Sequence, residues 1–287
     1  MKVVSFSLQQ GNKYFGQVDD GPQFFIGRRV PYQGNKGLMN TEGSDAQRYK
    51  RADFRPTFGI WADFIHPTAM AEGGFYHTLN TYDRARFTFS FLQYAAHVAK
   101  GDFVVFVRAL LGLEQAGEYF PDLGLVNGRI CKIGPNGPQQ LESDTSTEGL
   151  MAYFNPTLSS VEDTEVIQAA RLIHWSQNDP KHRDVQIKVG IDHFRAKMRT
   201  YAGWYPFLVG ARPEICLMVA DIHHQGRAGS GTVRLALQSG DPLAALLEIG
   251  AEEYKDRIAT LRREIAMLTQ SGIFDGLRYD PDHDTFS

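Results

Sequence analysis

Between residues 160 and 269 apolar residues recur at helical spacing in successive stretches: 160–177, 181–200, 213–224, 230–238, 241–249 and 251–269. This run of amphipathic segments is the strongest constraint on the fold, because each apolar stripe has to be buried against a neighbour. The last of them, EEYKDRIATLRREIAML, puts Ile258, Leu261, Ile265 and Leu268 on one side and its charges on the other. With 287 residues, 43% hydrophobic and 22% charged, the chain has the length and composition of an ordinary globular protein whose core needs no staples.

The first half reads differently. Residues 1–50 suggest short strands and turns, with VVSFSL and QFFIGRRV separated by glycine-rich punctuation. Pro56 suits a first helical position, and Phe58, Ile60, Trp61, Phe64 and Ile65 form a dense apolar face. His66-Pro67 should interrupt that helix, and Thr68 to Glu72 should add one turn ended by Gly73-Gly74. The aromatic and β-branched segment 75–91, with Asn80 and Asp83 as turn formers, predicts a small hairpin. Phe91 to Leu113 then predicts a helix, with a break at Gly101-Asp102. KIGPNGPQQLESDTST, residues 132–147, is the expected lobe boundary, Thr147 the cap of a short helix through Tyr153, and 271–287 a loose polar tail. The expected class is mainly α (α+β), with a small β element: a β-rich segment at 1–50, a main domain at 51–270 and the tail.

A net charge of −3 gives no electrostatic basis for nucleic acid or an anionic membrane as partner. Cys131 and Cys216 are the two cysteines, both in apolar contexts, and read as buried thiols rather than a disulfide framework. The N-terminus, MKVVSFSLQQGNKYFG, lacks an apolar signal-peptide core, and no stretch approaches ~18 apolar residues. The expectation is a chain without membrane insertion, cytoplasmic or released by a non-classical route such as phage lysis or a secretion system. No nucleotide loop or zinc-protease motif occurs, so no cofactor and no metal is expected. His223-His224 cannot chelate from adjacent helix positions, which point about 100° apart.

The chemistry concentrates in AMAEGGFYHTLNTYDRARFTFSFLQYAAH, residues 69–97. Glycoside hydrolysis needs one carboxylic acid to protonate the leaving oxygen and a second group to stabilise the cation or activate water. Phe75, Tyr76, Phe87 and Phe89 would make the surroundings of Glu72 apolar, while Asp83 in a polar turn would stay ionised. The bland readings are a solvated helix-end Glu72, a turn-forming Asp83, and a core role for His97 and for most aromatics.

A helix-terminal glutamate, a small sheet and then an aromatic/Leu/Gln helix start resemble the lysozyme superfamily, which includes phage-type lysozymes, lytic transglycosylases and some chitosanases. Glu72-Gly73-Gly74 with Phe91-Leu92-Gln93 is similar to the transglycosylase "E-S-G-G … G-L-M-Q" arrangement, and Glu72, Asp83 and Thr88 to the Glu, Asp, Thr succession of phage-type lysozymes. Downstream, Gln225-Gly226, Ser230 to Thr232, and Leu237-Gln238-Ser239-Gly240-Asp241 resemble the later phage-lysozyme blocks; the two regions cover about a quarter of the chain. Serine is missing after Glu72, the Glu–Asp spacing is longer, and His224 or Gln225 stands where the family has Asn.

The resemblance implies a two-lobed fold with its β element beside a cleft. It implies a peptidoglycan hydrolase (an N-acetylmuramidase, as in an endolysin or antimicrobial effector), with Glu72 as acid, Asp83 as second carboxylate and Thr88 placing water. Thr78 and Thr81 compete for the second role; Gln93, Tyr94, His224 and Gln225 would bind sugar. A chitosanase, chitinase or lytic transglycosylase is the alternative within the fold, and a glycan-binding or structural module of a phage or secretion apparatus the non-enzymatic one.

Overall fold

The computed structural model describes all residues, 1–287. The chain divides into two compact units, Met1–Arg48 with Phe75–Val189, and Tyr49–Gly74 with Gly190–Ser287.

The first unit opens with strands β1 (Val4–Gln9), β2 (Lys13–Val18), β3 (Phe24–Tyr32) and β4 (Asn35–Asn40). In β2 the period of two is plain, since Tyr14, Gly16 and Val18 are buried and Lys13, Phe15 and Gln17 are half-exposed. Gln33 and Gly34, with φ 49° and 87°, join β3 to β4, and two such residues make the tight hairpin turn that matches strand twist. The chain returns to this sheet after the second unit's first segment, α1 (Arg51–Phe58) and α2 (Ile60–Ala71), to add β5 (Leu79–Asn80), β6 (Thr88–Phe89) and β7 (Tyr94–Ala95). Met39 pairs with Asn80, Leu79 with Phe89, and Phe89 with Tyr94, completing a seven-stranded antiparallel sheet in sequence order.

That sheet corrects the expected mainly α class with a small β element: the chain is α+β, 46% helix and 18% strand. The cause is non-local. Strands of two residues carry no periodicity, and pairing β4 with β5 spans the α1–α2 excursion. The expected helix from Phe91 is also corrected. Ser90 and Gln93 have φ of 97° and 54°, which a right-handed helix excludes, so Phe91-Leu92-Gln93 is a turn between strands. The helix starts at Asp102, as α3 (Asp102–Leu111).

After α3 come α4 (Ala116–Tyr119) and an antiparallel sheet of β8 (Leu123–Val126), β9 (Arg129–Gly134) and β10 (Gly137–Gln140). Gly137, at φ 95°, starts β10, so most of the polar 132–147 stretch is a hairpin. Then α5 (Glu148–Phe154) and α6 (Asp163–Asn178) follow, with α6 packed on β1, β2 and β3. Tyr119 stacks on Trp175 at 4.8 Å, and Phe87, Phe103 and Phe154 interlock at 4.9–5.9 Å. Each such fully buried aromatic contributes about 1.5–3 kcal/mol.

Helix α7 (Pro180–Trp204) spans the boundary between the units. The second unit continues with α8 (Pro213–Gln225), α9 (Ser230–Leu237), α10 (Pro242–Glu248) and α11 (Lys255–Gln270). Helix α2 packs against α1, α8 and α11 and is buried on nearly every side. Asp63 within it is fully buried, and Arg51 and Arg55 donate to its carboxylate at 2.6 and 2.8 Å. Three expectations fail here. Pro56 lies inside α1, whose end is set by Gly59 at φ 55°, and α2 runs through His66-Pro67 to Ala71. The expected loose tail forms the hairpin β11 (Tyr279–Asp280) and β12 (Thr285–Phe286), because Phe286 packs on Trp61 and Phe64, each at 5.3 Å.

Candidate active site

Glu72 caps the C-terminus of α2, its N–H donating to Thr68 O and Ala69 O at 3.0 and 3.2 Å. Gly73 and Gly74 follow at φ 94° and 71°, a left-handed pair that ends the helix and turns the chain away. The carboxyl is 14% exposed, and Arg257 from the first turn of α11 donates Nη1–H to its Oε1 at 2.5 Å.

Arg257 is itself shared. Its Nη2–H donates to Asp221 Oδ1 at 2.7 Å, and Arg227 donates to Asp221 Oδ2 at 2.6 Å. The result is a chain of alternating charge, Glu72–Arg257–Asp221–Arg227, supplied by α2, α11, α8 and the loop after α8. Asp221 and Arg227 have fully buried side chains, and Arg257 is 9% exposed. Arg227 also donates to Ile249 O at 3.2 Å and to Gln225 Oε1 at 3.1 Å. Burial alone would raise the Asp221 carboxyl, but the Arg257 and Arg227 guanidiniums outweigh it and hold the group below its usual value. Burial would likewise depress Arg257; the Glu72 and Asp221 carboxylates reverse that and raise it.

His224 Nε2 sits 3.9 Å from Glu72 Oε1, beyond hydrogen-bond reach. Burial lowers its pKa, against an opposing pull from Glu72, so the imidazole beside the carboxylate is neutral at neutral pH. Its ring meets Phe194 at 5.4 Å and His193 at 6.1 Å. A guanidinium and an imidazole are thus among the polar neighbours of Glu72 in its unit. Phe75, Tyr76, Phe87 and Phe89, expected to shield it, belong to the other unit, where Phe87 packs on Phe103 and Phe154.

The chain matches no family model, no curated protein and no solved structure. Geometry alone carries the site.

Of the residues singled out in the sequence, Glu72, His224 and Gln225 share the second unit, and Asp83, Thr78, Thr81, Thr88, Gln93 and Tyr94 lie in the first. Asp83 makes an Asx turn: its Oδ1 accepts from Ala85 N at 2.8 Å and its Oδ2 from Asn80 Nδ2 at 3.0 Å. Thr78 donates to Phe75 O at 2.9 Å, and Thr81 donates to the Glu165 carboxylate. Thr88 is buried in β6, and Gln93 occupies the turn before β7. The Tyr94 hydroxyl donates to Gln186 O at 2.6 Å. Cys131 and Cys216 are buried and unpaired by disulfide, no group of three His, Cys, Asp or Glu is placed to hold a metal ion, and no helix is long and apolar enough to cross a membrane.

Asp221, Arg227 and Arg257 escaped the sequence reading. Asp221 carried a usable signal: an acid inside the apolar run ICLMVADI has to be either exposed at a break in the stripe or paired in the core.

Proposed function

We propose that the chain hydrolyses glycosidic bonds of an amino-sugar polymer, peptidoglycan first among them, with Glu72 as the carboxylic acid of the reaction. The observation that carries this reading is the positioning of Glu72. A partly exposed carboxyl at a helix end is held by a guanidinium that a buried carboxylate anchors from behind. A reacting group needs that fixity, because misplacement of about 1 Å can cost on the order of 100-fold in rate. Glu72 gives its proton to the glycosidic oxygen as the C–O bond breaks. Water adds to the anomeric carbon, and the proton it releases restores the acid. Arg257, whose Nη1–H donates to Oε1, holds the carboxyl in place.

The pairing of Glu72 with Arg257 also favours a second reading, in which Glu72 is a strut of the ion network in a glycan-binding module. One experiment divides the two. Release of reducing ends from peptidoglycan, chitin and chitosan is measured for the wild type and Glu72→Gln, which keeps the side chain's shape and an oxygen for Arg257. Loss of about 10²–10⁴-fold with an unchanged melting temperature supports the acid. Full activity in the variant, or none in the wild type on any of the polymers, contradicts it. Product masses separate hydrolysis from transglycosylation, which leaves a 1,6-anhydro end.

A further inference from the structure

The second unit holds an open cavity of about 500 Å³ that the proposed chemistry does not use, lined by Gly203, Trp204, Pro206, Ser230 and Arg234. Trp204 closes α7 and Ser230 opens α9. The other two tryptophans, Trp61 and Trp175, are buried at 4% and 0% exposure, whereas Trp204 keeps 49% of its surface exposed. A single exposed apolar side chain needs no explanation. This one shares a cavity with a cation.

The two groups are fixed to one another. Arg234 donates Nη2–H to Trp204 O at 3.1 Å, and its guanidinium lies 5.8 Å from the centre of the Tyr205 ring. Tyr205 is held in turn, its hydroxyl bonded to His223 Nε2 at 2.8 Å. Tyr201 and His223 support the indole at 5.4 and 5.7 Å. The partners of Arg234 are thus a neutral carbonyl and an aromatic face; no carboxylate pairs with it, and no acidic residue lines the cavity. One N–H of five is spent on the carbonyl, and a guanidinium fork with N–H groups to spare matches a planar anion through two parallel hydrogen bonds. The flat apolar indole beside it suits the C–H face of a sugar ring.

We propose that this cavity binds a sugar residue that carries a carboxylate, as the lactyl-bearing amino sugar of peptidoglycan does. The C–H face of the pyranose lies on the Trp204 indole, the carboxylate takes the Arg234 fork, and the Ser230 hydroxyl meets a ring hydroxyl. The volume falls within the range of about 300–1,000 Å³ for ligand sites. The lining selects the ring and the anion; the choice of the peptidoglycan sugar among sugar acids rests on the hydrolase reading. Within that reading the cavity favours peptidoglycan over chitin, which is uncharged, and over chitosan, which is cationic.

The test follows the tryptophan emission of the full chain as N-acetylmuramic acid is added. With Trp61 and Trp175 buried, Trp204 is the tryptophan that a ligand can reach. The methyl ester of the same sugar removes the charge and keeps the ring, and lactate keeps the carboxylate without the ring. The expected result is a saturable change with the acid, binding about tenfold weaker for the ester, and no change with lactate over the same concentrations. Arg234→Gln should bring acid and ester to equal affinity, and Trp204→Ala, read by calorimetry, should weaken the acid about tenfold. A monosaccharide has no bond for Glu72 to cut, so a failure here is distinct from a failure of Glu72→Gln to abolish hydrolysis. No emission change with the acid, equal affinity of wild type for acid and ester, or binding untouched by both variants would each overturn the proposal.

Discussion

Glu165 in the first unit and Asp221 in the second are both completely buried, and the two are treated in opposite ways. In the first unit Glu165 of α6 accepts from Leu38 N at 3.2 Å and from the Thr81 hydroxyl, while its Oε2 has no partner and no cation is at hand. Burial pushes it up to about 7, with Glu162 adding to the rise and the two hydrogen bonds opposing it. In the second unit Asp221 is buried to the same degree but sits between two guanidiniums, and it falls below its usual value. Depth is equal, so the sign of the neighbours decides the direction. The first unit stores a titratable group near neutral pH; the second builds a rigid ionic frame and mounts Glu72 on its outer end.

The largest effect expected from breaking this contrast is at Asp221. Asp221→Ala leaves Arg257 and Arg227 buried without their shared anion, and should cost about 3–5 kcal/mol in denaturant unfolding. A loss under ~1 kcal/mol would mean that water or other groups already neutralise them.

Next comes the pH response of Glu165. Its folded pKa is raised, so its stabilising contribution is full below its ordinary 4.5 and is lost as pH rises through about 7. Asp221 runs the other way: its contribution is present above its ordinary 3.8 and lost as pH falls through a still lower value. Glu165→Gln should therefore flatten the decline between about pH 5 and 8, removing a slope worth up to about 3 kcal/mol. An unchanged pH–stability curve would show that Glu165 does not titrate in that window.

Arg257→Lys is smaller and more local. A lysine cannot reproduce the fork that joins Glu72 to Asp221, so about 1–3 kcal/mol should be lost, and hydrolysis should fall more than substrate affinity. A change in affinity alone would place Arg257 in binding rather than positioning. Least disruptive is Asp83→Asn, which keeps the contact from Ala85 N and loses the one from Asn80. It should cost about 0.5–1.5 kcal/mol and retain most activity if Asp83 is a turn former; a 100-fold fall would give it the second catalytic role.

The contrast between the units also marks what could be read in the sequence. Helices α6 to α11 announced themselves through repeating apolar residues, and their observed ends fall within a few residues of the expected ones, as at Pro213–Gln225. The seven-stranded sheet did not, because β5, β6 and β7 are two residues long and are recruited by pairing with β4 rather than by local preference. That Glu72 ends a helix was visible from the glycines after it. Its frame was hidden, since Arg227 lies in a glycine-rich loop, Arg257 reads as one more charge on an amphipathic helix, and only the fold brings both to Asp221. The Asx turn of Asp83 was legible from Asn80 and Asp83 themselves.

The most direct test of Glu72 compares two leaving groups on one sugar. Wild type and Glu72→Gln are assayed on an unactivated oligosaccharide and on its dinitrophenyl glycoside, whose leaving group departs without protonation. If Glu72 supplies the proton, the variant loses about 10²–10⁴-fold on the oligosaccharide and little on the dinitrophenyl glycoside. Equal loss on both, or loss on neither, would contradict the assignment and leave Glu72 as a strut of the Arg257 network.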